Sequence, residues 1–212
     1  MADELVFYTN PMSRGRIVRW MLEEVGQPYQ THVLNYADEM KSPAYLAVNP
    51  MGKVPALVHG DTVVTECAAI CAYLADAFPD AGLAPPPTDR ARGPYYRWLF
   101  FAAGPLEAAV GNRALGVEPS ADQQRMIGYG SFGQVMDALE QAVQDREHLA
   151  GGRFSAADLY VGSHLMWGMG FGTIEKRPAF EAYVGKLRDR PAHLRATEID
   201  DALAAAQQQQ PA

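Results

Sequence analysis

Between Pro79 and Thr88 the chain carries Pro79, Pro85, Pro86 and Pro87 together with Gly82. A stretch so rich in proline is stiff and extended, and it divides the chain into two parts. The parts differ in their hydrophobic period. Ahead of the break, Leu5–Tyr8 is a short apolar run that ends at the turn formers Thr9-Asn10-Pro11, so it reads as a buried strand. From Ser13 the period becomes helical: Ile17, Met21 and Val25, with Val18 and Leu22, share one stripe, and the charged residues Arg14, Arg16, Arg19, Glu23 and Glu24 lie mostly elsewhere. Gly26 stops this helix with Pro28 behind it, and Thr31–Leu34 reads as a second strand, giving a parallel pair with a crossover helix. After a loop with a short helix near Pro43–Leu46 come two β-rich runs, Val54–Val58 and Thr62–Thr65, around His59-Gly60-Asp61, and then helical spacing over Glu66–Phe78.

The order βαβ then ββα predicts a sheet of about four strands in roughly 80 residues. Beyond the prolines no good strand run remains, and helical segments are expected at 89–114, 121–147, 156–170, 178–188 and 198–206. The expected organisation is an α/β domain over 1–79, a linker over 80–88, an all-helical domain over 89–206 and a disordered polar tail over 207–212.

Composition excludes several classes of function. Over 212 residues, 48% hydrophobic and 20% charged residues suit a globular protein, and a formal net charge of -7 is unsuited to neutralising phosphates, so nucleic acid is a poor partner. The two cysteines, Cys67 and Cys71, lie one helical turn apart and form neither a disulfide framework nor a zinc-binding spacing. No apolar run reaches the roughly 18 residues a membrane helix needs, and the first residues lack the pattern of a secretion signal. The chain therefore reads as cytoplasmic, without membrane or metal.

Three places carry candidate chemistry, each with an ordinary structural alternative. Val54-Pro55 opens a strand although proline lacks the donor that a central strand needs. A cis bond there would turn the Val54 backbone towards a peptide-like ligand, whereas a trans bond is the commoner state. At Thr65-Glu66-Cys67 a helix begins: its free N–H groups suit a carboxylate and Glu66 suits an ammonium group, although an acid in a first turn also complements the helix dipole. In the loop Tyr8-Thr9-Asn10-Pro11-Met12-Ser13-Arg14, the Ser13 hydroxyl sits where the first helix starts, placed either to stabilise a thiolate or to cap the helix. A fourth motif is structural: Ser155 and Asp158 resemble a capping box, flanked by Phe154 and Leu159 as a hydrophobic staple.

In this order the motifs resemble the cytosolic glutathione transferases over about residues 4–200. Asn49-Pro50-Met51-Gly52-Lys53-Val54-Pro55-Ala56-Leu57 is similar to that family's Asn-Pro-x-Gly-x-Val-Pro-x-Leu segment, and Phe154-Ser155-Ala156-Ala157-Asp158 to its second-domain capping box. The resemblance implies a thioredoxin-like domain that binds glutathione and a helical domain that supplies much of the electrophile pocket. It implies that Pro55 is cis, that the Val54 backbone pairs with the cysteinyl part of glutathione, and that Thr65, Glu66 and Cys67 hold the γ-glutamyl part. Lys41 or Lys53 is placed to pair with the glycyl carboxylate. Glu66-Cys67 departs from the family's usual Glu-Ser or Gln-Ser, and a thiol is the weaker donor. The thiol-activating residue is ranked Ser13, then Asn10, then Tyr8, which makes the chain serine- or cysteine-type.

The activity implied is transfer of glutathione, as thiolate, to a small hydrophobic electrophile, by a homodimer. The pocket for that electrophile is expected to draw on Met12 and on the segment carrying Tyr95, Trp98, Phe100, Phe101 and Leu106. Glutathione-dependent reduction or peroxidation is the runner-up, weakened because residues 10–13 contain no cysteine. A non-catalytic glutathione-binding module of the same fold is the third reading.

Overall fold

The computed structural model describes residues 4–209. They form two compact units, one made of residues up to Leu83 together with those from Arg190 onward, the other of Ala84–Asp189. The division after Leu83 falls inside the proline-rich stretch.

The first unit is built on a four-stranded sheet of β1 (Leu5–Thr9), β2 (Gln30–Val33), β3 (Ala56–His59) and β4 (Thr62–Thr65), in the order β2-β1-β3-β4. β1 and β2 run parallel, joined by α1 (Gly15–Val25), while β3 is antiparallel to β1 and β4 closes the hairpin at Gly60. Alternation along β1 buries Leu5, Phe7 and Thr9 and leaves Val6 and Tyr8 half-buried. Helices α1 and α3 (Cys67–Ala77) pack against each other and the sheet, burying Ile17, Val18, Met21, Leu22, Ile70 and Leu74. A smaller cluster of Met40, Tyr45 and Ala56, with Tyr8, Leu34, Val48 and Val54 against it, joins the sheet to α2 (Pro43–Leu46).

The last helix departs from expectation. The sequence places a helix over 198–206 in the helical domain; the structure has α10 over Pro191–Gln208, packed on α1 in the first unit. Its buried residues are Ala192, Ala196 and Asp200, a stripe of two alanines and an acid with no apolar signature. Asp200 meets Arg19, which the helical period sets off the α1 stripe, yet both side chains are almost fully buried and their ion pair is 3.2 Å long. Arg16–Asp201 at 2.7 Å, Arg190–Glu24 at 2.7 Å and Arg195–Glu23 at 3.3 Å flank it. Gln207 and Gln208, expected in a disordered tail, belong to this helix, and residues 210–212 of that tail lie outside the described residues.

The second unit is helical throughout its regular structure: α4 (Arg92–Phe101), α5 (Glu107–Ala114), α6 (Ala121–Met126), α7 (Phe132–Val143), α8 (Ala156–Phe171) and α9 (Pro178–Arg188). Two expected long helices are interrupted. A π-helical turn at Ala102–Leu106, containing Gly104 and Pro105, joins α4 to α5. Gly130, at φ 68°, lies between α6 and α7, and Ser131 starts α7 with a capping box completed by Gln134. At the start of α8 the buried Asp158 carboxylate accepts hydrogen bonds from Ser155 N at 2.9 Å, Leu149 N at 2.7 Å and the Tyr183 hydroxyl at 2.7 Å. Burial nevertheless raises its pKa above the usual carboxylate value, because desolvation outweighs those bonds. Tyr95, Trp98 and Leu106 are core of this unit, whereas Phe100 is 71% exposed.

Candidate functional site

Strand register gathers the candidate residues of the first unit at one end of the sheet. Tyr8, near the C-terminal end of β1, pairs with Ala56 at the start of β3, and Ala56 pairs with Thr65 at the end of β4. The loop after β1, the turn before β3 and the junction after β4 therefore emerge side by side. The Val54–Pro55 peptide bond is cis. Among the described residues no hydrogen bond takes up the Val54 N–H or C=O.

The segment ahead of this turn is held from both sides. Asn49, 4% exposed, donates from Nδ2 to the Lys53 carbonyl at 2.8 Å and accepts from Met51 N at 3.1 Å, and the Tyr45 hydroxyl donates to the same Lys53 carbonyl at 2.6 Å. Gly52 has φ 56°, and a Cβ there would meet the Met40 carbonyl at 2.6 Å, so glycine is required. Lys41 lays its ammonium on the carbonyls of Gly52, at 2.9 Å, and Met51, at 3.2 Å, which puts a cation beside the Val54 segment. Lys53 itself is exposed, and its tie to the turn is its backbone carbonyl.

Glu66 stands at the start of α3 with φ 68° and ψ 121°, a left-handed conformation rare for a residue with a side chain, and it is exposed. Such strain persists where the surroundings enforce it, and it clusters at binding sites. Thr65 before it is half-buried. Cys67 is 7% exposed, and its thiol points back to the Arg14 carbonyl at 3.6 Å, so the first turn of α3 and that of α1 meet.

The loop between β1 and α1 is a chain of local bonds. Asn10, 3% exposed, donates from Nδ2 to the Leu34 carbonyl at 2.8 Å and accepts from Met12 N at 2.9 Å. Its amide clasps the loop to the end of β2, which is a structural duty. Ser13 is half-buried; its Oγ donates to the Asn10 carbonyl at 2.6 Å and accepts from Gly15 N at 2.9 Å. Tyr8 projects into the cluster with Tyr45 and Val54, its ring stacked on His32 with centroids 5.1 Å apart. Three contributors have no role that the sequence alone assigns. Tyr45 and Asn49 act through one backbone carbonyl, and Tyr36 donates from its hydroxyl to the Met12 carbonyl at 3.1 Å. A tyrosine in a polar loop gives no signal of the residue it will face.

A thioredoxin-like sheet with a cis-proline turn beside a helix N-terminus, continued by an all-helical unit, defines the class of fold. Residues 12–77 match the family model for the glutathione S-transferase N-terminal domain. The chain is 31% identical over 163 residues to the glutathione S-transferase GstA of Escherichia coli O157:H7, covering 76% of this chain and 77% of that protein. It is 31% identical over 156 residues to the glutathione S-transferase GST-4.5 of Xanthomonas campestris pv. campestris, covering 71% and 74%. Among solved structures, a glutathione transferase from Methylococcus capsulatus str. Bath superposes with a TM-score of 0.76 at 28% identity, covering 93% of this chain and 99% of that one. A sphingomonad glutathione S-transferase complexed with glutathione gives 0.75 at 29% identity, covering 92% and 98%. The chain belongs to the glutathione S-transferase family.

Proposed function

We propose that this protein is a glutathione transferase that binds glutathione across the end of the sheet and activates its thiol through Ser13. The observation that carries the reading is the convergence, by strand register, of the cis Val54–Pro55 turn, the strained Glu66 at the start of α3 and the Ser13 loop. The Val54 N–H and C=O match the cysteinyl backbone. Glu66 takes the γ-glutamyl ammonium, while Thr65 and the first amides of α3 take its carboxylate. Cys67, turned towards Arg14, contributes through its backbone. Lys41, beside the turn, faces the glycyl carboxylate, with Lys53 the weaker candidate because its side chain lies in solvent.

Ser13 is the preferred activator because the amide of Asn10 is already engaged and Tyr8 packs in the Tyr45 cluster. Freeing its hydroxyl hydrogen costs little: the Asn10 carbonyl also accepts Ser13 N–H at 3.0 Å and stays satisfied when the hydroxyl turns to sulfur. The bound thiol releases its proton to solvent, the thiolate forms an S–C bond to an electrophilic carbon, and the leaving group departs with its electron pair. A small apolar electrophile suits this chemistry. In the same reading the enzyme is cytoplasmic and works as a homodimer. The exposed Tyr96 and Phe100, one turn apart on α4, offer an apolar face for a second copy.

Glu66→Ala tests the binding arrangement. The KM for glutathione is expected to rise about tenfold with kcat nearly unchanged, since a bond of about 1.4 kcal/mol made equally in ground and transition states is lost. Steady-state kinetics with an aryl halide acceptor reads both constants. An unchanged KM would remove Glu66 from the site.

A further inference from the structure

Ser13 does not stand alone in its loop. The Tyr36 hydroxyl, on the segment that follows β2, reaches across to donate to the Met12 carbonyl at 3.1 Å. The Met12 carbonyl is bonded to the Ser13 nitrogen, so this contact sets the phenol beside the Ser13 side chain, and burial raises the phenol pKa above the ordinary value, so it stays protonated at neutral pH. Ser13 Oγ already accepts Gly15 N–H at 2.9 Å, leaving one lone pair for a second donor. We infer that Tyr36 is a positioning residue for thiol activation: when the Ser13 hydroxyl turns to the glutathione sulfur, the Tyr36 O–H moves from the Met12 carbonyl to Ser13 Oγ.

An oxygen that accepts from both Gly15 N–H and Tyr36 O–H is a stronger donor than one that accepts from the backbone alone, because bonds in a chain polarise one another. The hydroxyl is also held to one orientation rather than left to rotate. The Met12 carbonyl that Tyr36 releases belongs to an exposed residue and passes to water. Tyr36 itself is 56% exposed, and nothing in the packing of the core depends on its hydroxyl. The charged residues on the segments that carry this arrangement are Arg14 and Arg16 at the start of α1, Glu66 at the start of α3, and Asp38, Glu39 and Lys41 after Tyr36. Neither Tyr36→Phe nor Ser13→Ala alters any of them.

The inference rests on Ser13 being the activator, and one experiment separates the two claims. The thiolate absorbance of glutathione bound to wild type, Tyr36→Phe, Ser13→Ala and the double variant is titrated against pH. Tyr36→Phe is expected to raise the bound thiol pKa, with a loss of about threefold in turnover below that pKa, the size of one modest hydrogen bond. Ser13→Ala is expected to raise it further, and the double variant to match Ser13→Ala, since Tyr36 acts only through the serine. A raised pKa in Ser13→Ala with an unchanged one in Tyr36→Phe overturns the role of Tyr36 and leaves that of Ser13 standing. A shift from Tyr36→Phe that adds in full to that of Ser13→Ala overturns the relay, since the phenol then acts on sulfur directly. An unchanged pKa in Ser13→Ala removes Ser13 as activator and the relay with it.

Discussion

Asp200→Ala is expected to destabilise the protein by about 3–5 kcal/mol, the cost of leaving a buried guanidinium without its counter-ion. Arg19 and Asp200 have side chains 2% and 1% exposed, and a single Nε–Oδ1 contact of 3.2 Å joins them. The guanidinium keeps bonds to Thr31 Oγ1 at 2.8 Å and the Tyr29 hydroxyl at 3.1 Å and lies over the rings of Phe7 and Tyr29, but none of these partners carries compensating charge. A fall in Tm of roughly 10 °C by circular dichroism is the expected reading for a chain of this size. A loss under about 1 kcal/mol would mean that α10 is held by its alanines and flanking ion pairs instead.

The same pair has a pH signature. Burial raises the Asp200 pKa above the ordinary carboxylate value even beside Arg19, because desolvation exceeds the attraction. The native state then binds this proton more tightly than the unfolded chain. Stability from this group is fully present below the unfolded pKa of about 3.9 and is lost as pH rises through the higher folded value. Wild type should therefore gain on Asp200→Asn as the pH is lowered from neutrality towards 4.

Ser13→Ala is expected to lower kcat about a hundredfold at neutral pH, within the range seen when one donor to a developing anion is removed. The hydroxyl meets sulfur as thiolate, so the KM for glutathione should move little. The loss should shrink as pH rises towards about 8.5, where a free thiol ionises unaided. A hundredfold loss that persists unchanged at pH 9 would point to a damaged loop, since Ser13 Oγ also accepts Gly15 N–H.

Much of this architecture was legible in the residues. Alternation in Leu5–Thr9, the Gly60 turn and the stripe Ile17–Met21–Val25 report their period directly, and the four-stranded sheet follows from their order. The helix over Pro191–Gln208 was mostly missed because its inward face is Ala192, Ala196 and Asp200, and an acid reads as solvent-facing until Arg19 is known to lie opposite. The runs at 89–114 and 121–147 read as continuous because a π turn and a Gly-containing break keep helical composition on both sides. Within the candidate site, Val54, Pro55 and Glu66 stand out because a proline next to a strand start and an acid at a helix start are chemical anomalies. Asn10 is the second-ranked thiol donor in the sequence, and its clasp on Leu34 is not legible there because it joins residues 24 apart, as does the bond from Tyr36 to Met12.

Titration of the thiolate absorbance of glutathione bound to the wild-type protein tests thiol activation at the sheet end most directly. The arrangement of Ser13, the first turn of α1 and Val54 predicts a bound thiol that ionises well below the free value of about 8.5. Bound glutathione that ionises at the free value would contradict it.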